Sequence, residues 1–184
     1  MSFFGGDFYI ASSLYFEESS RQAIHRDTPF FYGHPRATFL GVWFALEDVR
    51  LDAGPLTYYP GGHRLVLETR GERSASVNDA WQGYCDRLLN ACVAAGIERQ
   101  QALVKKGTCV IWHPELPHGG SEISRPGASR RSIVFHCAPT DVTLYGVDEF
   151  FGFKPIFPKE NHIIKNKTGG LMIDQGPPSF AQNG

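Results

Sequence analysis

The stretch ATFLGVWFALEDV, residues 37–49, is apolar on both of its alternating faces and rich in residues that favour strands. A run of that kind reads as a β-strand covered on both sides. Short strand patterns surround it. DFYIASSLYFEES (7–19) reads as one or two strands, and QAIHRDT (22–28) as a strand end. DAGPLTYYPGGHR (52–64) holds a short strand between the turn signals Gly54-Pro55 and Pro60-Gly61-Gly62. KKGTCVIWH (105–113) reads as a turn and a strand, and SRRSIVFHCAP (129–139) as another strand. The period changes only in 76–97, where Trp81, Tyr84, Leu88, Cys92 and Ala95 recur at three- and four-residue steps. That spacing predicts one amphipathic helix, capped by Ser76 or Asn78 and ending near Gly96. After Pro139 the pattern is irregular, and the last dozen residues read as mobile. Short strands, Gly/Pro turns and one inserted helix predict an antiparallel β-barrel or sandwich.

The chain has 184 residues, enough for one domain with a sizeable core. With 20% charged residues and a net charge of −1, it carries no basic surplus of the kind that seeks nucleic acid or an anionic membrane surface. No apolar run reaches membrane-spanning length and no basic-then-apolar leader follows Met1, so a cytoplasmic location is expected. Cys85, Cys92, Cys109 and Cys137 form no CxxC pair and read as reduced thiols rather than disulfides or zinc ligands.

The chemistry is concentrated at His25 and Asp27. Residues i and i+2 of a strand share a face, and an unpaired carboxylate facing a core is costly. A cation relieves that cost. His-x-Asp supplies one nitrogen and one oxygen, and a distant histidine would complete a 2-His-1-carboxylate set with open positions for substrate chemistry. His118 is the best candidate, because in LPHGG two glycines let backbone crowd the site; His113 is the rival. Of the others, His63 reads as a turn residue, His34 and His162 as loop residues, and His136 as a core or rim histidine. The strand beginning SRRSIVFHC offers Arg130 or Arg131 as a bidentate partner for a carboxylate cosubstrate, one pointing inward and the other to solvent.

HRDTPFF, GVWFALEDV, AGPLTYYPGGHR, KKGTCVIWHPELPHGG and RRSIVFH, in this order, together resemble the phytanoyl-CoA dioxygenase family of Fe(II)/2-oxoglutarate oxygenases, from about residue 10 to about residue 138. The resemblance implies an all-β core of the double-stranded β-helix (jelly-roll, cupin-like) type with the inserted helix near 76–97. It implies a single domain over 1–184, with 139–184 as a C-terminal extension. Family members carry a helical segment before the HxD motif; only 24 residues precede His25, so that segment is expected to be short or missing. The resemblance implies His25, Asp27 and His118 as the iron ligands and catalytic centre, Arg130 rather than Arg131 as the 2-oxoglutarate anchor, and Trp43 beside the cosubstrate. The position two after the distal histidine, a small hydroxyl residue in some members, is Gly120 here, and the serine is Ser121. Asp27 at the carboxylate position implies hydroxylation rather than halogenation. The expected activity is hydroxylation of a small organic substrate with O2, releasing succinate and CO2, with Phe30, Phe31 and Tyr32 as pocket walls or plain core. The competing readings are a cupin-type metalloenzyme without 2-oxoglutarate and a non-catalytic binding module.

Overall fold

The structure is a computed structural model that describes residues 4–34, 38–67, 74–157, 162–165 and 171–174. Within the 37–49 run the strand itself, β3, is Leu40–Ala45. Its inward residues Gly41, Trp43 and Ala45 are buried, while Leu40, Val42 and Phe44 are half-buried. The strand is therefore covered fully on one face and only partly on the other, which corrects the two-sided expectation. Leu46 onward turns away, tied by Leu46 N–H to the Arg131 carbonyl at 2.9 Å.

The largest sheet has six strands. Around β3 it places β1 (Phe8–Phe16), β6 (Cys109–Trp112) and β8 (Ser132–Pro139), with β10 (His162–Lys165) and β11 (Leu171–Asp174) beyond β1, in the order β10-β11-β1-β8-β3-β6. All neighbours are antiparallel except β1 with β11. A three-stranded sheet, β5 (Gln100–Gln101), β4 (Leu56–Tyr58) and β7 (His118–Gly120), lies across from it, and a small pair joins β2 (Tyr32–His34) to β9 (Thr143–Tyr145). The two larger sheets enclose a core of Trp43, Ala45, Val49, Leu56, Ala102, Trp112 and Val134. A second cluster, Tyr9, Phe31, Phe39, Ala138, Val142 and Leu144, closes the other end. This two-layered β-barrel is the jelly roll that the strand pattern and the resemblance led one to expect.

Helix α1 spans Val77–Ala94. Ser76 caps it, its hydroxyl accepting the Asp79 N–H at 3.1 Å, and Gly96 at φ +66° follows its end. Its buried face, Ala80, Tyr84, Cys85, Leu88 and Cys92, packs on Tyr59.

Three further expectations are corrected. The 22–28 segment is not a strand end: His25 makes only an isolated bridge with His118, and the chain reaches it through Arg21 at φ +50°. His34 and His162 sit in strands, not loops. The chain after Pro139 is ordered into β9, which pairs with β2, and the short helix α2 (Val147–Phe150), whose Phe150 packs against Tyr84. Of the last dozen residues, 175–184 lie outside the described residues, while Ile173 and Asp174 pair with β10.

Candidate metal centre

His25, Asp27 and His118 are all buried, and each offers a ligand atom within 4.8 Å of the others. They are the group of three or more potential metal ligands found among the described residues. Backbone pairing brings them together. The His25 N–H donates to the His118 carbonyl at 2.8 Å, and the His118 N–H to the His25 carbonyl at 2.9 Å. Asp27 follows in a turn: its own N–H reaches the Pro114 carbonyl at 3.1 Å, and its carbonyl accepts from Phe30 and Phe31. The two ligand segments are thus stitched to each other on both sides of the site.

The imidazoles are oriented by the same backbone. His25 Nδ1 lies 2.7 Å from the Ala23 carbonyl and His118 Nδ1 2.9 Å from the Leu116 carbonyl. A carbonyl oxygen only accepts, so each Nδ1 carries a proton and each ring turns its Nε2 inward. Those nitrogens lie 3.6 and 3.5 Å from Asp27 Oδ1. Burial pushes His118 down to about 4, so this ring is neutral at physiological pH. Burial also works against the Asp27 carboxylate, but the surrounding His118, His136 and His25 outweigh it and hold the carboxyl well below the usual range. Two imidazole nitrogens and an anionic oxygen then converge in a dry site, and that donor set suits a divalent transition metal.

Asp27 Oδ2 points the other way. It accepts the indole N–H of Trp112 at 2.8 Å, and His136 Nε2 lies 3.5 Å from it. His113 is exposed, its Nδ1 accepting the Glu115 N–H and its ring 5.5 Å from His63, so it is not brought to the site.

The centre opens into a cavity of about 250 Å³ between the two larger sheets. Trp43, Val134 and His136 line it from the major sheet, His118 and Gly120 from β7, and Phe30 and Phe31 from the segment after Asp27. Tyr32 instead packs edge-on against Phe150. Helix α1 packs behind the site: the Trp81 ring lies 5.6 Å from His25 and 4.5 Å from Phe30.

Arg130 also lines this cavity. It is 3% exposed, its guanidinium lies 5.8 Å from the Trp43 ring, and its Nε has no hydrogen-bond partner. Among the described residues it has no carboxylate partner. Burial pulls it down to about 10, which leaves it cationic at neutral pH. Two residues on, the fully buried Ser132 hydroxyl is likewise without a partner. Arg131 faces out and pairs with Glu17 at 2.6 Å. Ser121 is engaged elsewhere, its hydroxyl bonded to Thr57 and, at 3.2 Å, to the Gln101 amide.

His136, read as a core or rim histidine, is buried beside the site, whereas Trp112, Ser132 and the Arg26–Glu115 pair were missed in the sequence. Trp112 and Ser132 were legible in principle, as inward positions of strands already drawn. Arg26 was hidden because the middle residue of an HxD motif reads as facing solvent.

A buried His/Asp/His centre inside a jelly roll places the chain among metal-site β-barrels of the cupin class. The phytanoyl-CoA dioxygenase (PhyH) profile matches residues 5–132, and the chain belongs to that family. Phytanoyl-CoA dioxygenase domain-containing protein 1 of Bos taurus is 28% identical over 136 residues, 74% of this chain and 45% of that protein. The peroxisomal phytanoyl-CoA dioxygenase of Homo sapiens is 28% identical over 127 residues, 68% of this chain and 36% of that protein. The chain thus spans less than half the length of these relatives. Among solved structures, the non-heme alpha ketoglutarate dependent carbocyclase SnoK from nogalamycin biosynthesis superposes with a TM-score of 0.61 at 21% identity, over 91% of this chain and 63% of that one. EctD from S. alaskensis with bound Fe gives 0.59 at 23% identity, over 77% and 48%. Both share the fold. No helix among the described residues is long and apolar enough to cross a membrane.

Proposed function

We propose that this chain is the catalytic domain of an Fe(II)- and 2-oxoglutarate-dependent dioxygenase that hydroxylates a small organic substrate, releasing succinate and CO2. The observation that carries the reading is Arg130: a cationic guanidinium, buried and unpaired, in the same cavity as a buried His/Asp/His set. A buried lone charge costs several kcal/mol, and a dicarboxylate held between metal and arginine removes that cost.

In this reading His25 Nε2, Asp27 Oδ1 and His118 Nε2 hold Fe(II). Arg130 binds the far carboxylate of 2-oxoglutarate through its planar fork. The Trp43 ring lies 5.8 Å from the guanidinium carbon, within reach of a cation–π contact. Phe30, Phe31, Val134 and Leu56 exclude water and shape the substrate volume. The iron with its cosubstrate supplies the oxidising power, and the protein orients and shields. Family membership, the shared fold and the relatives' names support this assignment.

The test is an anaerobic titration of the Fe(II) protein with 2-oxoglutarate, read as visible charge-transfer absorption. The wild type gives a saturating band, and Arg130→Ala requires at least about tenfold more cosubstrate, the loss of one charge-assisted pair. Metal binding without a band would favour a cupin-type enzyme that does not use 2-oxoglutarate; no metal binding would leave a binding module.

A further inference from the structure

We propose that Trp112 and Gly41 act together as a positioning device: they hold Oδ2 of Asp27 away from the metal, so that Asp27 presents Oδ1 alone. The inference rests on the metal-site reading above.

Gly41 pairs in register with Trp112 on β6 and with His136 on β8, so the three form one inward row across the major sheet. The middle member has no side chain, and the indole leans into the gap. A Cβ at Gly41 would lie 2.2 Å from Trp112 Cε2 and 2.3 Å from Nε1. No other residue fits there with the indole in place. From that position Nε1 donates to Asp27 Oδ2 at 2.8 Å, a fully buried bond. His136 Nε2, 3.5 Å from the same oxygen on the other flank, is a longer and weaker contact than the indole bond. Oδ1 is the oxygen left facing both histidine Nε2 atoms.

The consequence concerns open positions at the metal. Two histidines and one carboxylate oxygen take three sites of an octahedral ion and leave three open. A carboxylate released from the indole can turn about its Cβ–Cγ bond and offer both oxygens. It then occupies a fourth site, and a chelating cosubstrate and O2 can no longer both be accommodated.

Trp112→Phe removes the N–H and keeps the aromatic packing; Gly41→Ala keeps the indole and displaces it. The Mn(II) forms of both and of the wild type are compared by water proton relaxation, which counts exchangeable metal-bound waters without any cosubstrate. The Fe(II) forms are titrated anaerobically with 2-oxoglutarate alongside. In Trp112→Phe the relaxation enhancement falls by about a third, one water in three, while metal affinity stays within about threefold of the wild type. The 2-oxoglutarate dissociation constant rises by about tenfold or more, the scale of a lost ligand-orienting bond. Gly41→Ala, where it folds, behaves in the same way. Unchanged water relaxation in Trp112→Phe overturns the proposal. So does metal affinity that falls in parallel with melting temperature, which marks a packing loss. A wild type that binds Mn(II) but gives no band with 2-oxoglutarate overturns the cosubstrate reading instead, and the water count still decides the role of Trp112.

Discussion

Replacing Arg26 with methionine tests how the two ligand segments are held together. Arg26 lies between His25 and Asp27, but its side chain turns away from the metal centre and is 6% exposed. Nη1 is 2.9 Å from Glu115 Oε2, and Nη2 donates to the carbonyls of Gly62 and Leu65 at 2.9 and 2.8 Å. Glu115 is also bonded to the Thr28 hydroxyl, and it sits three residues before His118. One guanidinium therefore ties the HxD segment, the loop leading to the distal histidine and the turn after Tyr59. Breaking a fully buried pair costs about 3–5 kcal/mol. Glu115 retains 27% exposure and can rehydrate, so the lower end, about 3 kcal/mol, applies. For a domain of this size each kcal/mol lowers the melting temperature by about 2–4 °C, so Arg26→Met should melt about 6–12 °C below the wild type. Divalent metal affinity should fall by about tenfold, because the distal ligand loses its tether. Adding Glu115→Gln to Arg26→Met should cost less than about 0.5 kcal/mol more, since its partner is already gone. A melting temperature within about 2 °C of the wild type in Arg26→Met would refute the reasoning.

A Cβ at Gly119 would meet the Gln22 carbonyl at 2.7 Å and the Ala23 carbonyl at 3.0 Å, the latter being the acceptor that orients His25. Gly119→Ala should lose about 1–3 kcal/mol in chemical denaturation and bind divalent metal more weakly, because no flexible side chain is there to give way. The metal-free protein should lose stability on acidification. His118 titrates near 6.5 when unfolded and near 4 when folded, so between those values the unfolded chain binds the extra proton and unfolding gains as pH falls. Denaturation midpoints measured from pH 7 to pH 4 check this, and a flat profile contradicts it. Cys109 is exposed while Cys85, Cys92 and Cys137 are buried, and burial pushes Cys85 up to about 12. Ellman's reagent should therefore modify one thiol fast in the native protein and all four after denaturation.

The strands and the helix were legible because their signals are local. The three- and four-residue steps of Trp81, Tyr84, Leu88 and Cys92 need no knowledge of the rest of the chain, and the Ser76 cap follows from its neighbours. What was not legible depends on who sits across the sheet. The outer residues of β3 are as apolar as the inner ones, so only the observed layers show that Leu40, Val42 and Phe44 are half covered. The i,i+2 argument for His25 and Asp27 reached a pair that does converge, but by another route. His25 is held by a bridge to His118 and Asp27 by a turn, rather than by a continuous strand. Trp112 illustrates the limit best. Its bond to Asp27 spans 85 residues and requires a glycine on a third strand, a relation that no window along the chain contains.

Asp27 also allows the structural and metal readings of the site to be separated without any enzyme assay. The surrounding histidines hold the Asp27 carboxyl well below the usual range, so the carboxylate stabilises the fold at neutral pH and the metal-free Asp27→Asn variant should melt below the metal-free wild type. The amide keeps an oxygen for the Trp112 N–H but is a poor metal ligand. Added Fe(II) or Mn(II) at a hundredfold excess over its dissociation constant contributes about 2.7 kcal/mol, which should raise the wild-type melting temperature by about 5–11 °C. In Asp27→Asn that shift should vanish. A metal-induced shift that persists in Asp27→Asn would mean that the carboxylate does not hold the metal.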